Sequence, residues 1–142
     1  MKKLLLSFTI ISLLMLGMSS CNQDLADLNS VSIISNIKGN WHCTLDEGNI
    51  TQDYQVEIVE DTSTTNGILI HNFFNNGSTA HATVNQNREI TLPSQKLGQN
   101  TVQATGVISD DFQRIDWNLT VDGDAMTATF TPGTVAKKLL SK

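Results

Sequence analysis

Apolar and polar residues alternate with a period of two in eight stretches between residues 39 and 131. This pattern constrains the possible folds of the chain more than any other feature of the sequence. Successive side chains of an extended strand point to opposite faces, so this period places one apolar face against a core. Asn, Asp and Gly residues separate the stretches, as is typical of antiparallel strands joined by tight turns. The predicted strands span 39–45, 53–60, 67–74, 78–85, 88–93, 101–109, 112–121 and 124–131.

Two turns predict which residues face each other on neighbouring strands. Asp122 and Gly123 suit a two-residue hairpin, because glycine adopts a positive φ without steric cost. Residues 75–77, Asn-Asn-Gly, suit a three-residue loop with the glycine in the left-handed region. This loop predicts a register in which Ile70 lies opposite Ala82, with both side chains on the buried face.

The same register predicts two features on the outer face. His71 lies opposite His81, which makes this pair a weak candidate for a metal site, since a stable site needs a third and usually a fourth ligand. Leu69 and Phe73 point outward and Phe74 lies at the loop edge, so these three residues form a candidate interaction surface. Two exposed histidines in a polar patch are the simpler interpretation of the pair.

Eight short strands in simple succession predict an all-β, up-and-down barrel, with an open β-sandwich as the alternative. Small inward residues leave volume, so the barrel either holds one small apolar ligand or uses these residues to pack closely. The two tryptophans are interpreted as core residues, because truncating a buried tryptophan costs about 3–5 kcal/mol. The candidate cavity residues are Tyr54, Ile70, Ala82, Ala104, Trp117 and Met126.

Charge and motif content exclude several classes of protein. Without its first 20 residues the chain carries seven Lys and Arg against fourteen Asp and Glu. Such an acidic protein is repelled by phosphate backbones, which argues against a nucleic-acid partner. The sequence contains no nucleophile elbow, phosphate-binding loop, zinc-protease motif or Cys-x-x-Cys motif. We therefore predict a non-enzymatic protein without a cofactor.

The first 21 residues carry the features of an export signal. Lys2 and Lys3 precede an apolar run over residues 4–18, and two serines then lead to Cys21. This arrangement resembles a bacterial lipoprotein signal, in which the cysteine is lipidated and becomes the mature N-terminus. Asn22 stands where an aspartate would resemble the inner-membrane retention signal of Gram-negative bacteria. The resemblance implies a lipid anchor at Cys21 in the outer membrane, with the protein facing the periplasm or the cell surface.

The predicted organisation has four parts. Residues 1–20 are a signal peptide, and residues 21–36 are a lipidated N-terminus and polar tether, which contains at most a helical turn near 25–28. Residues 37–132 form the β-domain, and residues 133–142 form a basic tail. Cys43 is the remaining thiol once Cys21 is lipidated, so it has no disulfide partner and is expected to be a buried apolar residue.

The start of the β-domain carries a family resemblance. Gly39-Asn40-Trp41 resembles the Gly-x-Trp opening of the lipocalins and related calycin barrels. In that family the tryptophan packs across the closed end of the barrel under a basic residue of the last strand, but residues 124–131 contain no Lys or Arg. The resemblance implies a small apolar ligand inside the barrel. The alternative function is a structural, inhibitory or assembly role exerted through protein contacts, without an internal ligand.

Overall fold

The computed structural model describes residues 22–133, which form one helix followed by eight strands. The signal peptide, Cys21 and residues 134–142 of the basic tail lie outside the described residues. The elements are α1 (Asn22–Ile37), β1 (Gly39–Asp46), β2 (Thr51–Asp61), β3 (Gly67–His71), β4 (Thr79–Val84), β5 (Glu89–Leu97), β6 (Asn100–Ile108), β7 (Ile115–Val121) and β8 (Asp124–Pro132).

The strands close into an antiparallel up-and-down barrel, because β1 pairs with both β2 and β8. Closure gives each strand a partner on both sides and removes the free edges that an open sheet exposes. The predicted barrel is confirmed and the open sandwich is not adopted. The inward pattern is also confirmed, since the buried core contains the predicted residues from all eight strands, among them Trp41, Val56, Ile90 and Leu119.

The predicted turn at Asp122 and Gly123 forms as expected. Both residues have positive φ, 50° and 97°, and the flanking Val121 and Asp124 pair directly. Two consecutive positive φ values are the requirement of the type I′ turn, whose twist matches that of the flanking strands.

The predicted register between β3 and β4 is wrong by two residues. Ile70 pairs with Ala80 rather than Ala82, because β3 ends at His71 and residues 72–78 form a longer loop than expected. Asn72 begins this loop with a φ of 62°, and its Oδ1 accepts a hydrogen bond from the Gly77 N–H at 2.8 Å. A slip of two residues keeps the side chains of β3 and β4 on their predicted faces, whereas a slip of one would have reversed them.

The segment expected to be a polar tether is helical along its length. Within α1, Ser30, Ile33, Ile34 and Ile37 recur at spacings of three and four residues, and all four are buried. Three isoleucines form a short apolar stripe that would not stabilise an isolated helix in water, so packing against the barrel supplies most of the stability of α1.

The two ends of the barrel are closed in different ways. The helix end is where β1 begins, and here Ile33, Ile34 and Ile37 join the same apolar core as the strands. Trp41 lies buried at this end and donates a hydrogen bond from Nε1 to the Ile37 carbonyl at 2.8 Å. The hairpin end is the opposite one, where the loop 72–78 connects β3 to β4.

Pro93 was expected at a strand end, but it lies within β5 at a β-bulge between Leu92 and Gln95. A bulge tolerates proline because the ladder hydrogen bond is already interrupted there. Beyond the bulge, the Gln95 side-chain amide bonds both backbone groups of His81 on β4, accepting from N–H at 2.9 Å and donating to C=O at 2.8 Å. The Gln95 side chain thus makes the two hydrogen bonds to β4 that a backbone peptide group of β5 would make in a regular ladder.

In the part of the chain from residue 22 to residue 133, no helix has the length and hydropathy needed to cross a membrane.

Candidate functional site

The six residues predicted to line a cavity all belong to the core side of the barrel. Tyr54, Ile70, Ala82, Ala104 and Trp117 are buried, while Met126 is half-buried and packs against the core. Their shared location agrees with the prediction. Whether these residues line a cavity depends on the space around them, because a cavity needs volume that side chains do not occupy.

Three aromatic rings occupy the barrel interior. Phe73 meets Trp117 edge-on with ring centroids 5.0 Å apart, and Phe130 lies 5.3 Å from Trp117 and 6.1 Å from Phe73. Each of the three side chains is at most 1% exposed. Edge-to-face rings at these distances are in favourable contact. The interior around the predicted cavity residues is therefore packed with aromatic side chains.

Phe73 reaches the interior from the loop at the hairpin end, and hydrogen bonds hold that loop in place. The Tyr54 hydroxyl donates to the Phe73 carbonyl at 2.7 Å within the core. Asn72 Nδ2 donates to the Gln55 carbonyl and Asn76 Nδ2 to the Leu97 carbonyl, both at 2.9 Å. Tyr54 therefore holds the loop that closes the hairpin end.

Gly106 shows how closely the interior is packed. A Cβ added at Gly106 would lie 2.9–3.1 Å from three carbon atoms of the Trp117 ring, and the shortest of these distances is below what real Cβ contacts show. The small residue at this position thus makes room for the large one opposite, since Gly106 and Trp117 are paired across β6 and β7.

We expect Gly106→Ala to lower the free energy of unfolding by about 1–3 kcal/mol, because the Trp117 ring must shift within a filled core. Urea denaturation monitored by tryptophan fluorescence measures this change. Val107→Ala is the control on the same strand, since Val107 faces outward and is 56% exposed. An unchanged midpoint for Gly106→Ala would show that the interior has space to spare.

The candidate interaction surface is not exposed as predicted. Phe73 is buried among the core aromatics, Phe74 is half-buried against the core, and Leu69 is half-buried on β3. The prediction failed because it continued β3 through residue 74, whereas the chain leaves the strand after His71 and turns Phe73 inward. Phe73 and Phe74 are structural parts of the closed hairpin end, whereas Leu69 keeps its predicted outward position between the buried Ile68 and Ile70 of β3.

The register correction also separates the two histidines. His71 pairs with Thr79 and bonds the Thr79 hydroxyl through Nδ1 at 2.8 Å, while His81 pairs with Leu69. His81 Nδ1 lies 3.9 Å from an Asp61 carboxylate oxygen. Among the described residues, no three His, Cys, Asp or Glu side chains are grouped as a metal site would need.

Cys43 is fully buried on the inner face of β1. Burial raises the pKa of its thiol to about 12. Because the thiolate is the reactive form, Cys43 is chemically inert near neutral pH, as the prediction of a buried apolar residue requires.

A hollow of about 720 Å³ lies on the outer surface of β5 to β8, beside the β-bulge at Pro93 and Ser94. Thr91, Thr105, Asn118 and Thr127 face one another on these four consecutive strands. Gln103 and Thr120 form a second, neighbouring pair. The hollow is lined by Asp46, Gly48, Thr91, Leu92, Pro93, Ser94, Gln103, Ala104, Thr105, Asn118, Leu119, Thr120, Ala125, Met126 and Thr127.

Several polar side chains of this hollow lack hydrogen-bond partners in the described part of the chain. Within residues 22–133, the side chains of Thr91, Gln103, Thr105, Asn118 and Thr127 form no hydrogen bond with another residue. On other parts of the barrel, Asn72, Asn76 and Gln95 use their amides to hold loops and strands. The alternation predicts outward positions for Gln103, Thr105, Asn118 and Thr127, but it gave no sign that these residues share one concave surface. Ala104 and Met126, which were predicted to face the interior, are also among the residues that line the hollow.

Comparisons with known proteins agree with the fold. A solved structure of a redesigned β-barrel is similar to this chain with a TM-score of 0.53 and 18% sequence identity, over 71% of this chain and 95% of the barrel. At this identity the similarity shows the barrel fold alone. No protein-family model matches the chain, and no curated protein sequence matches it.

Proposed function

We propose that this protein is a non-enzymatic lipoprotein of the bacterial envelope that binds its partner on the outer surface of a filled barrel. The main support for a surface role is the packing of Phe73, Trp117 and Phe130 in the interior. Of the two roles expected from the sequence, a surface role needs no internal space, whereas an internal ligand must displace these rings. The free polar side chains beside Pro93 supply a surface on which such a role can act.

The proposed lipid anchor is at Cys21, which directly precedes the first residue of α1. A helix of 16 residues is about 24 Å long at 1.5 Å per residue. Because α1 packs into the helix end of the barrel, a lipid at Cys21 would keep the barrel close to the membrane. The lipoprotein signal supports the outer membrane as the location, with the barrel facing the periplasm or the surface.

We also propose that the barrel is lipocalin-like. Trp41 of the Gly-x-Trp opening is buried at the helix end, where the resemblance expects it. In lipocalins a basic residue covers this tryptophan. Here Trp41 instead donates a hydrogen bond to the carbonyl of Ile37, the last residue of α1.

A second candidate function is the binding of a small apolar ligand inside the barrel. One observation favours it: the Nε1 of Trp117 is buried and has no hydrogen-bond partner within residues 22–133. A buried N–H without a partner costs about 1–3 kcal/mol, and an acceptor atom on an internal ligand would remove that cost. Such a ligand would be apolar with a single oxygen acceptor.

Titration with a hydrophobic fluorescent probe, 1-anilinonaphthalene-8-sulfonate, tests the choice between the two functions. The full chain carrying Cys21→Ala is used, so that lipid does not bind the probe. We expect no saturable binding and no change in tryptophan fluorescence, because the interior is occupied. Saturable binding that Phe73→Ala strengthens and that quenches tryptophan fluorescence would establish the internal site and contradict the surface role.

A further inference from the structure

We propose that the outer hollow of β5 to β8 binds an uncharged, linear oligosaccharide. This inference rests on the proposed surface role of the barrel and names the class of ligand. It starts from the chemistry of the lining, which combines hydroxyls of Thr91, Thr105 and Thr127 with the amides of Gln103 and Asn118. Hydroxyl and amide groups both donate and accept hydrogen bonds, as do the hydroxyls of a sugar.

The charges of the lining argue for a neutral ligand. Asp46 is the single charged residue among those that line the hollow, and the lining includes no Lys or Arg. Phosphate and carboxylate ligands are recognised through charge-assisted bonds from Arg or Lys, so an anionic ligand would find no partner here. An aliphatic ligand is also disfavoured, because it would cover the free amides of Gln103 and Asn118 without satisfying them.

The closed barrel argues against an extended peptide. Peptides commonly bind sheets by adding a strand to a free edge, and their main-chain hydrogen bonds supply the affinity. The strands β6, β7 and β8 pair on both sides along the hollow, while β5 pairs with β6 and, on its β4 side, at Ile90 and Thr91, beyond which the Gln95 side chain bonds His81. A ligand in this hollow must therefore bind through side chains, which suits a sugar better than a peptide backbone.

The shape of the surface indicates a chain of sugars. The hollow has the volume of a typical small-molecule site, and Thr91 also lines a second hollow of about 420 Å³ between β4, β5 and α1. Thr65, Asn66, Thr83 and Gln86 contribute uncharged polar residues to this second hollow. The two hollows share Thr91 as a lining residue, so a ligand that occupies both must be longer than one sugar. Pro93 adds an apolar contact for the C–H face of a sugar ring.

The rigidity of the lining favours binding. Thr105, Asn118 and Thr127 occupy adjacent positions on paired strands, so their spacing is fixed by the ladder rather than by a loop. Backbone positions that are already fixed lose no freedom when a ligand arrives, so only the side-chain rotamers must become ordered.

Nuclear magnetic resonance titration of the full chain carrying Cys21→Ala tests this inference. The probes are maltohexaose, cellohexaose and chitohexaose, each added to millimolar concentration. We expect at least one to shift the side-chain amide signals of Gln103 and Asn118 saturably, and Asn118→Ala to weaken its binding at least tenfold. Gln113→Ala is the control, since Gln113 is an exposed amide residue outside the hollow.

The same spectra separate failure of the inference from failure of the proposed function. If no hexasaccharide shifts the Gln103 and Asn118 signals, or if Asn118→Ala binds as tightly as the unaltered residue, the oligosaccharide site is wrong while the surface role survives. If a hexasaccharide instead shifts the indole signal of Trp117 and the methyl signal of Ala82, the ligand enters the interior and the proposed function itself is wrong. An extended hexapeptide, Ala-Thr-Ala-Thr-Ala-Thr, that shifts the hollow signals when sugars do not would assign the hollow to peptides and overturn the inference.

Discussion

Phe73→Ala is expected to lower the free energy of unfolding by about 3–5 kcal/mol, a large part of the roughly 5–15 kcal/mol that stabilises a domain. The ring is 1% exposed and contacts both Trp117 and Phe130, so its removal leaves a cavity that fixed strands cannot fill by moving together. The loop that carries it is attached through the Tyr54 hydroxyl, which restricts relaxation further. Urea denaturation of the full chain measures the loss.

Phe74→Ala is the matched control, because Phe74 is the next residue of the same loop and is only half-buried against the core. We expect a clearly smaller loss for this variant. Equal losses at the two positions would contradict the assignment of Phe73 as the residue that fills the interior. A double variant of Phe73→Ala with Trp117→Leu should lose less than the sum of the two single losses, because the two rings contact each other.

Cys21→Ala is expected to move the protein from the membrane pellet to the soluble fraction. Each buried methylene of a lipid anchor contributes about 0.8 kcal/mol, so one acyl chain binds reversibly and two or three together bind almost permanently. Loss of the proposed acceptor thiol would remove the whole anchor at once, and fractionation followed by immunoblotting measures the distribution.

Cys43→Ala serves as the control for this experiment, since its thiol is buried in the barrel and does not accept lipid. That variant should remain in the membrane pellet. If Cys21→Ala also remains there, lipidation at Cys21 is wrong, although the barrel and its surface hollow would be unaffected.

The inward and outward faces of the strands could be predicted from the sequence, because this property depends on local geometry. The alternation in Trp41, Cys43 and Leu45 needs no knowledge of the neighbouring strand, and all three are buried. Asp122 and Gly123 were predictable for the same reason, since positive φ at both positions selects one turn type.

The loop that carries Phe73 was not predictable in the same way. Its length depends on Asn72 adopting a φ of 62° and on bonds from Tyr54 and Asn76 to distant carbonyl groups. These contacts join residues that are far apart in the sequence. The prediction therefore placed Phe73 on the outer face, although it gave the correct faces, with the wrong register, for the residues of β3 and β4.

The helix and the hollow were missed for a related reason. Ile33, Ile34 and Ile37 are a recognisable stripe only when the barrel end that they cover is known. Gln103 and Asn118 were predicted to point outward, but the absence of partners for their amides within residues 22–133 depends on the whole barrel surface. A candidate site formed by neighbours on different strands can therefore be identified only when the pairing of the strands is known.

Nuclear Overhauser effects between aromatic rings show whether the barrel interior is filled, as a function on the outer surface requires. In the full chain carrying Cys21→Ala, we expect strong effects between the Phe73 and Trp117 ring protons, whose ring centroids lie 5.0 Å apart, and slow hydrogen exchange at the Trp117 indole N–H. Absence of these effects, together with rapid exchange of that N–H, would show an open interior and contradict a filled barrel.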